Sequence, residues 1–562
     1  MSEDRFDPIS ELAKLSPRSS PPDSVRAVAP FLDRDPVRLA AAADGVGIVV
    51  GLCIGLVVAV AGRPSLVIVA TAAGLGAATL GRGGVLAVAN ARRSRTLGTA
   101  PTIVSRAVLR MRITPAAEKA AAFAAGTEGR LGDRLADHVA RARGTPLSGF
   151  GSFAESWRGR SPALYRSVTL VEAAAAAPEG ERERTLDRAM ETVLDGTRDR
   201  ATEAADSLRG PSTAMYAFGV LLPLALVSVL PAAGAAGFEA TLPAIVVVYD
   251  VLLPAGLLCG GGWLLSNRPV AFPPAPIDDG VATRPAIYAS AGLGAAVLAA
   301  VAARVLFARW TIPFAALGAG VGVALVVRYR PVVAVRARGD ELESGLPDAL
   351  YLVGRRVADG IAVEQAVADA ADELDGVTGD AFQAAARRQR QLRVGVETAF
   401  IGTHGALRDI PSRRAESTAR LLGMAAGAGA PAGRALVETA DHLDELRRVE
   451  RDARQDLSRV TSTLSNTAAF FGPLVGGATV ALADSVGTTD ALDGGAPETA
   501  GLGLAVGIYV LLMAAVLTGL STGLKRGLDG ATVGYRVGLA LCTATVTYLL
   551  AVFVTAAVSG GL

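Results

Sequence analysis

Lysine, cysteine, histidine and aromatic residues are all scarce in this chain, and each scarcity closes off a class of function. Lys14, Lys119 and Lys525 are the only lysines, so arginine supplies nearly all the positive charge. His138, His404 and His442 stand apart, with neither HExxH nor CxxC nearby, and zinc demands clustered ligands, so no metal or other cofactor is expected. Cys53, Cys259 and Cys542 fall inside apolar runs, where a small thiol is ordinary packing material, and no disulfide is expected. There is no GxxxxGK[ST], so any ATP-driven process would need an outside motor. Met1 to Pro30 contains no signal-peptide-like apolar stretch, which leaves the first long apolar run to act as the insertion signal. β-branched alternation is absent as well, arguing against sheet.

Long apolar runs are what the chain does have. Hydrophobic residues make up 51% of it against 19% charged, and mean hydropathy is +0.40, too apolar for a soluble globule of 562 residues. The apolar residues gather into nine runs of about 18 to 22 residues, the length that crosses a hydrocarbon core of roughly 30 Å as helix. The expected fold is therefore all-α: a polytopic membrane protein with about nine transmembrane helices and two cytoplasmic helical bundles.

Its parts read, in order, as an N-terminal arm 1–43, a transmembrane pair 44–81, a first helical domain 82–212 and a second pair 213–265. A Pro-rich linker 266–285 follows, then a third pair 286–328, a second helical domain 329–465 and a fourth pair 466–521. A loop 522–536 and a ninth span 537–558 complete it. The arm holds one short amphipathic stretch, Val25 to Leu39, and is otherwise too rich in Pro and Ser to order itself.

Arginine and lysine in short loops set the orientation. With the N-terminus in the cytoplasm, Arg92, Arg93, Arg95, Arg328, Arg336, Lys525, Arg526 and Arg536 flank the inner ends of spans. The last outer loop then carries Asp484, Asp490, Asp493 and Glu498 and no base. Arg63, Arg304 and Arg309 dissent, and long side chains near span ends can snorkel to the head groups. The expectation is a multi-pass protein of the cell membrane with its C-terminus outside.

The two halves can be laid on each other without a gap over the first span pair and the entry to each polar domain, at an offset of 246 (309 − 63). Arg63 falls on Arg309, Gly74 on Gly320, Arg82 on Arg328, Pro101 on Pro347, Arg110 on Arg356, Glu118 on Glu364 and Ala120 on Ala366. Four spans per half keep both copies in one orientation, so both polar domains are expected on one side of the bilayer, as a direct repeat.

Within the second polar domain, Leu342, Leu346, Leu350 and Val353 recur at helical spacing, and Asp359-Gly360 ends that helix. Further helices are expected over 362–374, 378–392 and 396–404, with another after Pro411. The last begins near Pro431 and carries Leu436, Leu443, Leu446, Val449 and Leu457 on one stripe. No breaker separates it from the next span, so a continuous rod is predicted, its polar part roughly 45 Å long at about 1.5 Å per residue.

Few single residues stand out. Asp250 lies in a span, where an ionised group costs upward of roughly 2.5 kcal/mol, and reads either as a proton or substrate ligand or as a protonated group held by Tyr249 or a neighbouring helix. Arg387, Arg388, Arg390 and Arg393 lie along one short helix and would attract an acidic partner, although such runs also serve as solvated faces. Glycines four apart, Gly51 and Gly55, Gly256 and Gly260, Gly472 and Gly476, Gly503 and Gly507, permit close helix approach within the chain, with a homodimer interface as the alternative.

The second domain resembles the type II secretion system F family, the inner-membrane platform proteins of type IV pili, type II secretion systems and archaeal surface filaments. The resemblance rests on the Pro347-Asp348-Ala349-Leu350 helix, the turn from Asp359 through Gly360 to Ala366, the Gly395-Val396-Glu397-Thr398-Ala399-Phe400 stretch, and Gly433-Arg434-Ala435-Leu436 opening the long helix. The first copy departs from it, with Thr114 in place of Gly360 and only a loose counterpart, Gly149 to Ala154, of the later glycine motif. The acidic Glu-x-x-Gly feature of shorter bacterial members is missing too, and the length is similar to the double-length archaeal form. The resemblance implies a non-enzymatic role: a hexameric cytoplasmic ATPase docks below, and its movement lifts prepilin-like subunits from the bilayer into a filament. No nucleic-acid partner is expected. The rival reading is a secondary transporter that uses Asp250.

Overall fold

The computed structural model describes residues 92–94, 96–235, 241–266, 284–428, 430–487, 499–527 and 529–559, and every regular element among them is helical. The arm 1–43, the first apolar pair 44–81, Arg95 and most of the 266–285 linker lie outside the described residues, as do Gly51, Gly55 and Arg63.

Six helices form a first polar lobe: α1 (Ala100–Ile113), α2 (Ala117–Ala125), α3 (Arg130–Ala142), α4 (Phe150–Glu155), α5 (Pro162–Ala174) and the long α6 (Glu179–Tyr216). Prolines near the starts of α1 and α5 suit positions whose amide would have no helical partner. Thr114, extended at φ −141°, and Pro115 end α1 without a left-handed residue. The apolar faces close on a core that includes Ile103, Met111, Leu131, Phe150, Phe153, Trp157 and Leu164.

The chain then enters a long apolar section. α6 continues through a π-helical turn, Ala217–Leu221, into α7 (Leu222–Ala235). Next, α8 (Leu242–Val246) leads through a second π turn, Val247–Leu252, into α9 (Leu253–Ser266), and α10 (Pro285–Leu306) follows. α11 (Thr311–Ala358) is 48 residues long and runs unbroken across the expected boundary at 328/329, with Pro331 and Pro347 inside it.

The end of α11 opens the second lobe with α12 (Val363–Glu373), α13 (Gly376–Leu392), α14 (Val396–Ile401), α15 (Arg413–Ala428) and α16 (Ala430–Asn466). Its separate core includes Leu346, Leu350, Val353, Val367, Phe382, Phe400 and Leu422. α16 passes through a third π turn, Thr467–Phe471, into α17 (Gly472–Gly487), and α18 (Thr499–Arg526) and α19 (Gly530–Ser559) complete the described chain. The predicted rod is thus continuous, with one wide turn at its junction with the apolar section.

Among the described residues, seven helical stretches are long and apolar enough to cross a membrane: Glu179–Val229, Val247–Leu265, Pro285–Leu306, Thr311–Ala358, Thr461–Ala483, Ala500–Arg526 and Gly530–Val558. They coincide with the last seven of the nine expected runs, and the chain reads as a multi-pass membrane protein.

The three π turns among the described residues share one feature. Each ends two residues before a proline, namely Pro223, Pro254 and Pro473. Proline has no amide to donate and its ring crowds the carbonyl four residues back, which favours local widening where a helix continues through it, although α11 carries Pro331 and Pro347 with no π turn. Freed carbonyls need other donors in a water-poor setting. Gly219, four residues before Pro223, receives the Tyr509 hydroxyl at 2.6 Å, and the Pro223 carbonyl receives Tyr249 at 2.8 Å. Glu343, four residues before Pro347, has its carbonyl taken by the Arg447 guanidinium from α16.

Lipid chains are as apolar as leucine, so apolar helices associate through close packing rather than hydrophobic burial. Gly503 and Gly507 of α18 make room for Trp310 and Phe314, whose rings would lie 2.6 Å and 2.8 Å from an added methyl. Gly472 and Gly476 likewise admit Met513 and Val510. Gly256 meets nothing within 4 Å, so its expected packing role is not realised among the described residues. The expectation failed there because spacing of four places glycines on one helix face without saying which face meets a neighbour.

Candidate functional site

The glycine motifs of the second lobe turn out to position helices. Gly360 adopts φ +91° just past the end of α11, a conformation that side chains rarely take. Ala366, Ala399 and Leu436 are buried in the lobe core, and Gly395 caps the start of α14 with an ordinary φ of −67°. Gly433 is the closest approach: a methyl there would sit 2.2 Å from the Ala358 amide nitrogen, and one on Gly354 would sit 2.9 Å from the Gly433 carbonyl. Gly354 and Gly433 set how tightly α16 crosses α11. Gly360 and Gly395 are exposed but carry no side chain to offer a partner.

Surface chemistry lies elsewhere on the same lobe. Arg387 and Arg390 are exposed, three residues apart on one face of α13, and Arg388 is partly covered a third of a turn away. Arg393 caps α13 in the left-handed region at φ 53°, also exposed. None of the four pairs with a carboxylate among the described residues, so their combined charge faces solvent. The expected cluster is therefore assembled, with Arg393 turned out of the helical register.

The two lobes are clasped together, which the sequence did not announce. Arg112, at the end of α1 with its side chain 8% exposed, pairs with Asp187 of α6 and with Glu438 of α16. Arg198 of α6 reaches Glu445 of α16 at 3.0 Å, and Arg413 of α15 reaches Glu128 of the first lobe at 3.3 Å. Leu446 of α16 belongs to the first lobe's core. His442 stands one turn before it, and burial, then the Arg112 charge, push its imidazole down to about 4, so it is neutral at physiological pH. A second ionic knot, Arg414 with Glu343 and the buried Glu450, ties α15, α11 and α16 within the second lobe. Breaking such a buried pair by removing one partner typically costs about 3–5 kcal/mol. No local signal distinguishes Arg112 from its neighbours; the only clue was that Asp187 and Glu438 occupy similar places on the two long polar helices.

Asp250 lies in the π turn before Pro254, partly buried, and its Oδ1 has no hydrogen-bond partner among the described residues. Tyr249 does not hold it, because the Tyr249 hydroxyl is committed to the Pro223 carbonyl and its ring stands edge-on to Tyr509 at 5.5 Å.

The chain matches no protein-family model, and comparison with curated proteins and with solved structures returns no significant match. Its own geometry is what bears on function.

Proposed function

We propose that this chain is a membrane platform protein of a type IV pilus-like or type II secretion-like machine, coupling a cytoplasmic hexameric ATPase to assembly of a surface filament or to protein export. The observation that carries the reading is that two polar lobes, clasped to each other, each end in a long helix that enters the apolar section without a break. Such a shape passes movement from water into a bilayer, and a P-loop motor would have to come from outside the chain.

A duplicated origin is part of the proposal. The second, third and fourth helices of the lobes begin at Ala117 and Val363, Arg130 and Gly376, Phe150 and Val396, each pair 246 residues apart (363 − 117). The long helices begin 251 apart (430 − 179), and the π turns that follow them 250 apart (467 − 217). Insertions of a few residues in loops account for the drift. A direct repeat with four spans per half, counting the pair expected over 44–81, would keep both lobes on the cytoplasmic side under an N-in orientation.

Docking of the motor is assigned to Arg387, Arg388, Arg390 and Arg393, and prepilin-like subunits to the lipid-facing helices. Full-length protein is the right test material, since a cut at 329 would sever α11. Charge reversal at Arg387, Arg388 and Arg390 is expected to abolish co-purification with a secretion ATPase from the same genome while leaving the fold intact. Retained binding would remove this surface; failure of the unaltered chain to bind any such ATPase would remove the class. The transporter reading draws support from the unpartnered Asp250 Oδ1 alone, and it gives the two lobes no task.

A further inference from the structure

Where the lobes meet the apolar section, a cavity of about 310 Å³ opens between them. Its walls come from the start of α1, the middle of α11, α15 and α16, and its far end from the last turn of α18 and the first of α19. Eight Arg or Lys side chains line it against five carboxylates. Their pairing is uneven. Glu343 and Glu450 are committed to Arg414, and Glu128 to Arg413, while Arg336 is held by Asp529, which lies outside the lining. Asp340 and Glu416 remain, against Arg106, Arg420, Arg454, Lys525 and Arg526, none of which pairs with a carboxylate among the described residues.

Arg106 shows how crowded the positive charge is. Its guanidinium is fixed over the Phe123 ring at 4.2 Å and donates to the Phe123 carbonyl at 2.9 Å, so it cannot swing away. Burial, and then the Arg420 charge, hold it below its ordinary value. Two guanidiniums kept close in a half-buried space repel unless an anion lies between them, and guanidinium forks match phosphate oxygens in geometry. Lys525 and Arg526 close an apolar helix, which puts that end of the cavity level with the place where head groups begin.

We propose that this cavity binds a phosphate-bearing anion, either a lipid head group entering from the bilayer side or a free phosphate compound entering from water. The site is separate from Arg387 to Arg393, and it stands or falls independently of the platform reading. An anion here would bridge α1, α15 and the base of α18, fastening the two lobes to each other and to the apolar section.

The test uses the full chain purified in detergent, titrated with inorganic pyrophosphate by calorimetry and with short-chain phosphatidylglycerol by native mass spectrometry. Saturable binding of at least one probe is expected, weakened about tenfold or more by Arg420→Gln and separately by Lys525→Gln, and unchanged by Arg387→Gln. Arg420→Lys should restore part of the loss. Binding of the lipid alone assigns the bilayer source, and binding of pyrophosphate alone the aqueous one. Absence of saturable binding of both probes below about 1 mM, or binding that neither cavity substitution weakens, overturns the proposal.

Discussion

Set against each other at the proposed offset of 246 residues, the two lobes fill corresponding slots with different volumes. In the first helix, Pro101, Ile103, Val104, Ala107 and Met111 are buried, and 246 residues on, so are Pro347, Ala349, Leu350, Val353 and Val357. In the fourth helix the buried trio is Phe150, Phe153 and Ala154 in one lobe and Val396, Ala399 and Phe400 in the other. The large ring has moved by one position, from Phe153 beside Trp157 to Phe400 beside Phe382. The pattern of which positions face inward outlasts the identity of what fills them, because a core needs total volume and interdigitation more than any one residue.

Exchanging the filling breaks this comparison most sharply. Phe153→Ala should cost about 3–5 kcal/mol, as should Phe400→Ala, each read from thermal unfolding in detergent. If volume is what the slots share, Phe153→Ala combined with Ala154→Phe recovers part of the loss; no recovery would count against equivalent slots in the two lobes.

A smaller effect tests a slot where the lobes disagree in kind. Val108 of the first lobe corresponds to Gly354 of the second, where α16 crosses too closely for a side chain. Gly354→Val should therefore destabilise the second lobe by about 1–3 kcal/mol although valine is native in its counterpart, and hydrogen exchange should show the loss in α11 and α16 first.

The long helices differ as well. His442 of α16 faces the first lobe near Arg112, Asp187 and Asp441, whereas Glu191, 251 residues earlier on α6, is exposed. The folded imidazole sits at about 4 and the unfolded one near 6.5, so below 6.5 the unfolded chain takes up a proton that the folded chain refuses. Stability is expected to fall between about pH 6.5 and 4, by on the order of 2 kcal/mol allowing for partial exposure, and His442→Gln should flatten that slope in melting curves taken across the range.

Much of this was legible in the amino acids. Apolar length gave the seven described spans, Gly360 marked the end of α11, and the stripe from Leu436 to Leu457 foretold the rod. The helices expected over 362–374 and 378–392 begin and end within a few residues of α12 and α13. What escaped was long-range compensation. α11 runs through Pro331 and Pro347, and at Pro347 the stranded carbonyl is met by Arg447, a residue 104 positions from Glu343. The Arg112 clasp was invisible for the same reason: its carboxylates lie on two helices that only folding brings side by side. The four arginines from Arg387 to Arg393 stand out in the sequence because charge density is a local property.

Pro223 and Pro473 each follow a π turn where a long polar helix becomes apolar, and there the backbone ladder is at its thinnest. At the first of these a single phenol, that of Tyr509, replaces the missing rung. Bending stress applied to either rod concentrates there, so the parts above and below can stay rigid while the angle between them changes.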